Sequence, residues 1–344
     1  MTTSTIDAIG PPGHPETRPA YRTGFSFVRR RPMFLGIEIG GTKLQLGLGR
    51  GDGELHGLWR GAVDQAAGGE GIRRQIAAAV PELLVKAGLS RGELKGVGVG
   101  FGGPTDDETQ RVIKSHHIPG WDGFPLAAWL SDVIGLPTVI CNDADVAGLA
   151  EAEFGAGKGL ASVFYITVGT GIGGGLIIDG EIYRGVGKGA AEIGHLLVPS
   201  PDNPATYDIL EAFAAGWGIE ARANRLDWVA DDFEDWNGRP VTAKILAEAA
   251  RRGHPHARRI LQEAVDALGH AIRQMITLLC PRRIVIGGGV SLMGEEMFFA
   301  PLRRAVAERE FAAFAGLTDI VPAALGEEVV IHGALALARQ KLGG

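Results

Sequence analysis

Cysteine is scarce in this chain: two in 344 residues, Cys141 and Cys280, each inside an apolar stretch. Two thiols cannot build a disulfide framework, so both are expected to be buried and reduced, as in the cytoplasm. No apolar run reaches the roughly 18 residues that cross a bilayer, and no membrane role is expected. An excess of one charge is also missing. The 34 Lys and Arg against 40 Asp and Glu leave a net −6, which argues against a general nucleic-acid binder. The P-loop string is absent, because Gly157-Lys158 and Gly187-Lys188 both lack the first glycine and the closing hydroxyl. Two strings match the dinucleotide fingerprint, Gly98-x-Gly100-x-x-Gly103 and Gly169-x-Gly171-x-x-Gly174. Neither leads into the helix that the fingerprint needs. Pro104 and an acidic run follow the first, and a strand-like run follows the second. Residues 1–32 are polar and rich in proline and arginine, with no apolar segment of the secretory type. They are expected to form a flexible extension.

What the chain has in excess is glycine, 53 residues, roughly twice the usual share. Two glycine turns stand out, each between two apolar runs. The first is Ile39-Gly40-Gly41-Thr42-Lys43 and the second is Gly169-Thr170-Gly171-Ile172-Gly173-Gly174-Gly175. Glycine lets the backbone turn tightly and present its N–H groups. A row of such groups forms a concavity that suits phosphate oxygens.

The apolar pattern predicts strands at 34–37, 44–48 and 55–60, a helix at 71–89 with Pro81 inside it, and a Gly/Val strand at 94–101. A helix at 124–134, a strand at 138–141 and a helix at 144–154 complete the first half. The second half repeats this order. Strands are expected at 163–168, 176–178 and, as a third extended segment, 192–198. Helices follow at 209–224, 243–252 and 257–279, then strands at 283–286 and 319–321 and a last helix at 329–342. Such self-similarity marks an internal duplication. The expected division is an extension at 1–32, an N-terminal lobe at 33–147 with helix 328–344 packing back on it, and a C-terminal lobe at 148–327. Two α/β lobes with facing glycine turns leave an interdomain cleft, a common place for a small-molecule site.

The residues around the first turn resemble the phosphate hairpin of sugar kinases with the actin-like ATPase fold. More narrowly, the chain resembles the ROK family (repressors, open reading frames and kinases). Five further stretches agree in order: Gly98–Pro104, Ile118-Pro119-Gly120-Trp121, Cys141-Asn142-Asp143-Ala144-Asp145, 167–175, and Ala191-Glu192-Ile193-Gly194-His195 with Leu210-Glu211 downstream. The resemblance covers about residue 33 to the C-terminus. It implies two ribonuclease-H-like lobes and ATP-dependent phosphorylation of a hexose or hexose derivative. By resemblance Asp143 is the general base, since the acceptor hydroxyl needs a carboxylate within hydrogen-bond reach. Read without the resemblance, Asp143 is more simply a plain helix N-cap. Gly102, Gly103, Asn142, Glu192, His195 and Glu211 are implied to contact the sugar. Glu38, Gly40, Gly41, Thr42, Lys43, Gly169, Thr170 and Gly171 are implied to serve the phosphates, and Gly287, Gly288 and Gly289 the adenine. Mg2+ is implied with the nucleotide, and a homodimer by family habit.

The chain departs from the family pattern in three places. Glu38 stands where the family has Asp, one methylene longer. No Cys-x-Cys cluster follows His195, so no zinc site is expected. His116-His117 precedes the Pro-Gly-Trp turn, and neighbours on an extended strand point to opposite faces, so a shared ion is not expected. These departures leave a weak or inactive binding protein as the alternative to a kinase. A sugar-responsive repressor is disfavoured because residues 1–32 are not expected to hold a helix-turn-helix. Polyphosphate remains open as the phosphoryl donor.

Overall fold

Seven consecutive buried residues, Met33 to Ile39, stand near the start of the described chain. They form β1 (Met33–Ile39), which runs antiparallel to β2 (Lys43–Gly49), itself antiparallel to β3 (Leu55–Ala62). This structure is a computed structural model, and it describes residues 32–115, 118–225 and 240–344. The expected extension up to residue 31 and the pair His116-His117 lie outside the described residues.

β1 is buried throughout because helices cover both of its faces. Leu35, Ile37 and Ile39 pack with Ile72 and Ile76 of α1 (Gly68–Ala87), while Phe34 packs on the other side with Ile331 and Leu335. That split follows the alternation of side chains along a strand. Pro81 lies within α1 without ending it, and the helix stops at Gly88 in the left-handed conformation. β4 (Leu94–Phe101) runs parallel to β1. A short hairpin follows, β5 (Thr105–Asp106) with β6 (Arg111–Val112), then α2 (Leu126–Ile134) and β7 (Thr138–Asn142), parallel to β4. α3 (Asp143–Glu153) begins on the next residue. The sheet order is β3-β2-β1-β4-β7.

The second half builds the same sheet. β8 (Ser162–Val168), β9 (Ile172–Ile178) and β10 (Glu181–Ile182) form the antiparallel part. A small hairpin, β11 (Leu197–Pro199) with β12 (Tyr207–Ile209), leads into α4 (Glu211–Ala214), α5 (Gly216–Ala223), α6 (Ala243–Arg251) and α7 (Pro255–Leu279). β13 (Arg283–Gly287), α8 (Ala300–Ala307), β14 (Asp319–Pro322) and α9 (Val329–Leu342) complete it. Its order, β10-β9-β8-β13-β14, repeats the first strand for strand, with the last three again parallel.

Two expected elements differ. The segment expected as extended at 192–198 turns instead through a short 3-10 helix, Ile193–His195, before β11. The turn brings Gly194 against the second sheet, where a Cβ would stand 2.2 Å from the Ile172 carbonyl oxygen. The helix expected at 209–224 is broken at Ala215, whose ψ of 159° is extended. The break frees the Gly216 N–H to donate to the Gly169 carbonyl at 2.8 Å.

α3 and α9 touch each other between the two sheets. α9 lies on β1 and β4, and α3 on β8 and β9. Glycine makes the approach possible: a Cβ on Gly98 would fall 1.9 Å from the Ala334 carbonyl oxygen. The small side chains of β4, expected to pack closely against something, therefore meet the backbone of α9.

Candidate functional site

β7 ends where α3 begins, and that junction sets the chemistry. Asn142 is the N-cap. Its Oδ1 accepts from the N–H groups of Ala144 at 2.9 Å and Asp145 at 3.3 Å, and its Nδ2 donates to the Gly103 carbonyl at 3.1 Å. Because Asn142 takes the capping role, the Asp143 carboxylate is not the helix cap, and Asp143 lines the cleft. The plain N-cap reading of Asp143 therefore does not describe this helix. Asp143 is half-buried, and a Cβ on Gly102 would lie 3.4 Å from its Oδ2. Its pKa is pushed up to about 7, first by loss of water, then by the charge of Glu38, against the pull of nearby backbone N–H groups.

A cleft of about 510 Å³ takes in Asp143, Glu38, Lys43, Thr167 and the glycines Gly287, Gly288 and Gly289. Glu38 is buried, with Oε1 3.0 Å from the Lys43 Nζ and Oε2 accepting from Gln45 Nε2 at 2.8 Å. Desolvation raises its pKa, and Lys43 and Gln45 oppose that rise. Lys43, expected as a phosphate donor, also donates to the Glu327 carbonyl at 3.2 Å. Gln45 bridges further. Its Nε2 reaches the same carbonyl at 3.1 Å, and its Oε1 accepts from Arg60 Nε at 3.0 Å. Arg60 in turn pairs with Glu328. This chain of contacts ties the first hairpin to the start of α9.

Gln45→Leu is expected to cost about 1–3 kcal/mol of stability, because buried partners are left unmet. It also removes a donor that lowers the Glu38 pKa. Ionised Glu38 then becomes scarcer, so the activity loss should be greatest at low pH and ease as pH rises. Denaturant melts and a pH–rate profile read both effects.

The two glycine hairpins are held in the same way. In the first, the Gly41 carbonyl accepts from Gln65 Nε2 at 2.8 Å and the Thr42 carbonyl from the Val63 N–H at 3.0 Å. In the second, the Gly169 carbonyl accepts from the Gly216 N–H at 2.8 Å and the Thr170 carbonyl from the Trp217 N–H at 3.2 Å. A trans peptide is planar, so a carbonyl tied back turns the following N–H the other way. The N–H groups of Thr42, Thr170 and Gly171 are thus presented outward. The Gly40 and Gly169 N–H groups are spent inside their own turns, on the carbonyls of Lys43 at 3.1 Å and Gly171 at 2.9 Å.

Gly102 sits between the first hairpin and the acid, its N–H on the Ile39 carbonyl at 2.9 Å. Gly103 is held by Asn142. Glu192, His195 and Glu211 do not line the 510 Å³ cleft, but Glu192 lies within electrostatic reach of both His195 and Glu211 and adds to the raised pKa of Asp143. Glu211 accepts the Ile172 N–H on Oε1 at 2.5 Å, so it also fixes the second hairpin. Among the described residues, no group of three or more His, Cys, Asp or Glu is placed to hold a metal ion.

Sequence reading missed a second buried acid. Asp145 pairs with Arg184, whose Nε also bonds both Asp107 oxygens at 3.0 and 3.2 Å, and whose NH2 bonds the Thr105 carbonyl at 2.9 Å. Burial pushes Asp145 up to about 7, with Arg184 opposing. Its place two residues after Asp143, directly behind the apolar run 138–141, was the available signal. Gln45 offered one too, as a polar residue between Leu44 and Leu46 in an apolar strand.

A duplicated sheet order with a glycine hairpin in each half, and an acid at the foot of the helix between, defines a two-lobed phosphate-handling protein. The ROK family profile matches residues 34–341, and the chain belongs to that family. It has the family's two-lobed actin-like ATPase fold. Over 320 residues it is 33% identical to a glucokinase of Thermotoga maritima, covering 90% of this chain and 98% of that protein. Among solved structures it is similar to a ROK family glucokinase from Streptomyces griseus in complex with glucose and AMPPNP (31% identity, TM-score 0.74, 90% of this chain and 99% of that one). A ROK hexokinase from Thermus thermophilus is similar at 29% identity and TM-score 0.75, over 90% of this chain and 98% of that one.

Proposed function

We propose that this protein is a sugar kinase that transfers the γ-phosphoryl group of ATP to a hydroxyl of a hexose or hexose derivative. The observation that carries the reading is the Asp143 carboxylate. It is freed from capping by Asn142, has a pKa of about 7, and faces the cleft that Gly287, Gly288 and Gly289 also line. A base poised near the working pH suits proton removal from an alcohol. The sugar hydroxyl donates to Asp143. As its oxygen bonds to the γ-phosphorus and the bond to the β-phosphate oxygen breaks, the proton passes to the carboxylate and ADP leaves. Positioning and charge stabilisation supply most of such catalysis.

The outward N–H groups of Thr42, Thr170 and Gly171 serve the phosphates in this reading. Asn142, Glu192, His195 and Glu211 serve the sugar, with Gly102 and Gly103 at close backbone approach. Two carboxylates of raised pKa face one cleft, Glu38 and Asp143, a donor set that suits a hard divalent cation. Mg2+ would be held by Glu38 and phosphate oxygens, largely through water, and would neutralise phosphate charge. The residues after His195 do not fit a structural zinc ion, since no cysteine follows until Cys280. The proposal places the enzyme in the cytoplasm as a homodimer, and sedimentation at the mass of one protomer would remove the second part.

The relatives' names make glucose the first hexose to try. A coupled ADP-release assay over glucose, mannose, fructose and N-acetylmannosamine, with ATP and with polyphosphate, tests the proposal. Turnover of one or more sugars, on the order of 1–1000 per second, is expected. ATP binding with no turnover of any sugar would point instead to a binding protein.

A further inference from the structure

We infer that Arg222 is a positioning residue for the sugar side of the site, acting through the β11–β12 hairpin; the inference rests on the kinase reading above. Arg222 lies near the end of α5, its side chain only 15% exposed. NH1 and NH2 form a two-pronged bond to Asp202, at 2.8 Å to Oδ2 and 2.7 Å to Oδ1. Its Nε donates to Glu263 Oε2 on α7 at 2.7 Å. One guanidinium therefore pins the tip of the hairpin to two helices.

The hairpin matters because of what flanks it. β11 starts two residues after His195, and β12 ends two residues before Glu211. The arms are joined at their base by the Leu210 N–H on the Leu196 carbonyl at 2.9 Å, and near the tip by the Ser200 N–H on the Thr206 carbonyl at 2.8 Å. A shift of the tip is thus passed to both sugar-side residues. Pro199, Pro201 and Pro204 stiffen the connection by fixing φ. Beside these backbone bonds and prolines, the Arg222 fork is the side-chain tie from the Asp202 tip to the helices behind it.

The other end of α5 grips the second phosphate hairpin through the Gly216 and Trp217 N–H groups. Those are backbone bonds, and replacing Arg222 leaves them intact. Loss of the clamp should therefore affect the sugar and spare the nucleotide. A bare exposed ion pair would be worth little. Here the geometry is bidentate and a second carboxylate holds the same guanidinium, which makes the arrangement specific as well as attractive.

The test compares Arg222→Met, Arg222→Lys and Asp202→Asn in the hexose assay. Arg222→Met is expected to lower kcat/KM for the sugar by about 10- to 100-fold, the scale of a misplaced site, mostly in sugar KM and with little change in KM for ATP. Arg222→Lys, which keeps the charge but not the fork, should recover only part. Asp202→Asn leaves the contact between α5 and α7 in place, so it should raise sugar KM without lowering the melting temperature. The inference is overturned if Asp202→Asn leaves sugar KM unchanged, or if Arg222→Met changes both KM values equally. Should the wild-type chain turn over no hexose, the kinase reading itself fails. Proteolysis at the hairpin tip then decides the clamp: faster cleavage in Asp202→Asn supports it, and equal cleavage ends it.

Discussion

Asp143→Asn is expected to cut turnover steeply and, above neutral pH, to stabilise the fold. The amide cannot take the proton, so kcat should fall by about 10²–10⁴, the usual share of a general base, with both KM values nearly kept. The stability effect has the opposite sign. The Asp143 carboxyl holds its proton up to about pH 7 in the fold, against 3.8 as its ordinary value. Between those values the native state binds more protons than the unfolded chain, so stability falls as pH rises. The contribution is fully present below about pH 4 and lost once pH passes about 7. Three pKa units correspond to about 4 kcal/mol; partial exposure of Asp143 reduces that to a few kcal/mol. An amide carries no such burden, so the variant's advantage should grow from pH 5 to 8. The wild-type rate should run the other way, declining as pH drops below about 7 and the base is protonated. Paired melts and pH–rate profiles of the two proteins check both signs. Asp145, also at about 7, adds a parallel stability slope that Asp143→Asn leaves in place.

Gly333→Ala is expected to damage stability and catalysis together. Gly333 lies on α9 against α3, where an added Cβ would stand 1.8 Å from the Val146 carbonyl oxygen and 2.6 Å from its carbon. Both obstacles are backbone, so no rotamer change relieves them and the helices must separate. Overpacking of this kind costs about 1–3 kcal/mol and sometimes more, and the upper end is expected where the clash is with backbone. α3 carries Asp143 at its first residue. Any separation moves Asp143, the proposed base, relative to Gly102 and the first hairpin, and kcat should fall with stability. Gly92→Ala is the control, since a Cβ there would meet only the Ser90 Oγ at 4.0 Å. Denaturant unfolding and kcat should both be near wild type for the control. Unchanged stability in Gly333→Ala would contradict the close approach of α9 to α3 at Val146.

Although the strand expected at 192–198 is not what forms, most strands of the two sheets, the duplication, the two glycine turns and the position of Asn142-Asp143 directly after a buried strand are legible in the sequence. Each of these is local: side-chain period, glycine freedom and capping chemistry act within a few residues. Even so, the resemblance was needed to choose Asp143 as a base over an N-cap, and only the folded chain shows Asn142 taking the cap. Tertiary structure alone decided what depends on distant segments meeting. Gln45 bridges Glu38, Arg60 and the Glu327 carbonyl, 282 residues away in sequence. Arg222 finds its two carboxylates, Asp202 and Glu263, 20 and 41 residues away in sequence. The break at Ala215 exists because the Gly216 N–H finds a carbonyl in the second hairpin. A chain encodes its periodic pattern along its length, but the partner of a buried polar group is fixed only when the two sheets and the helices between them have packed.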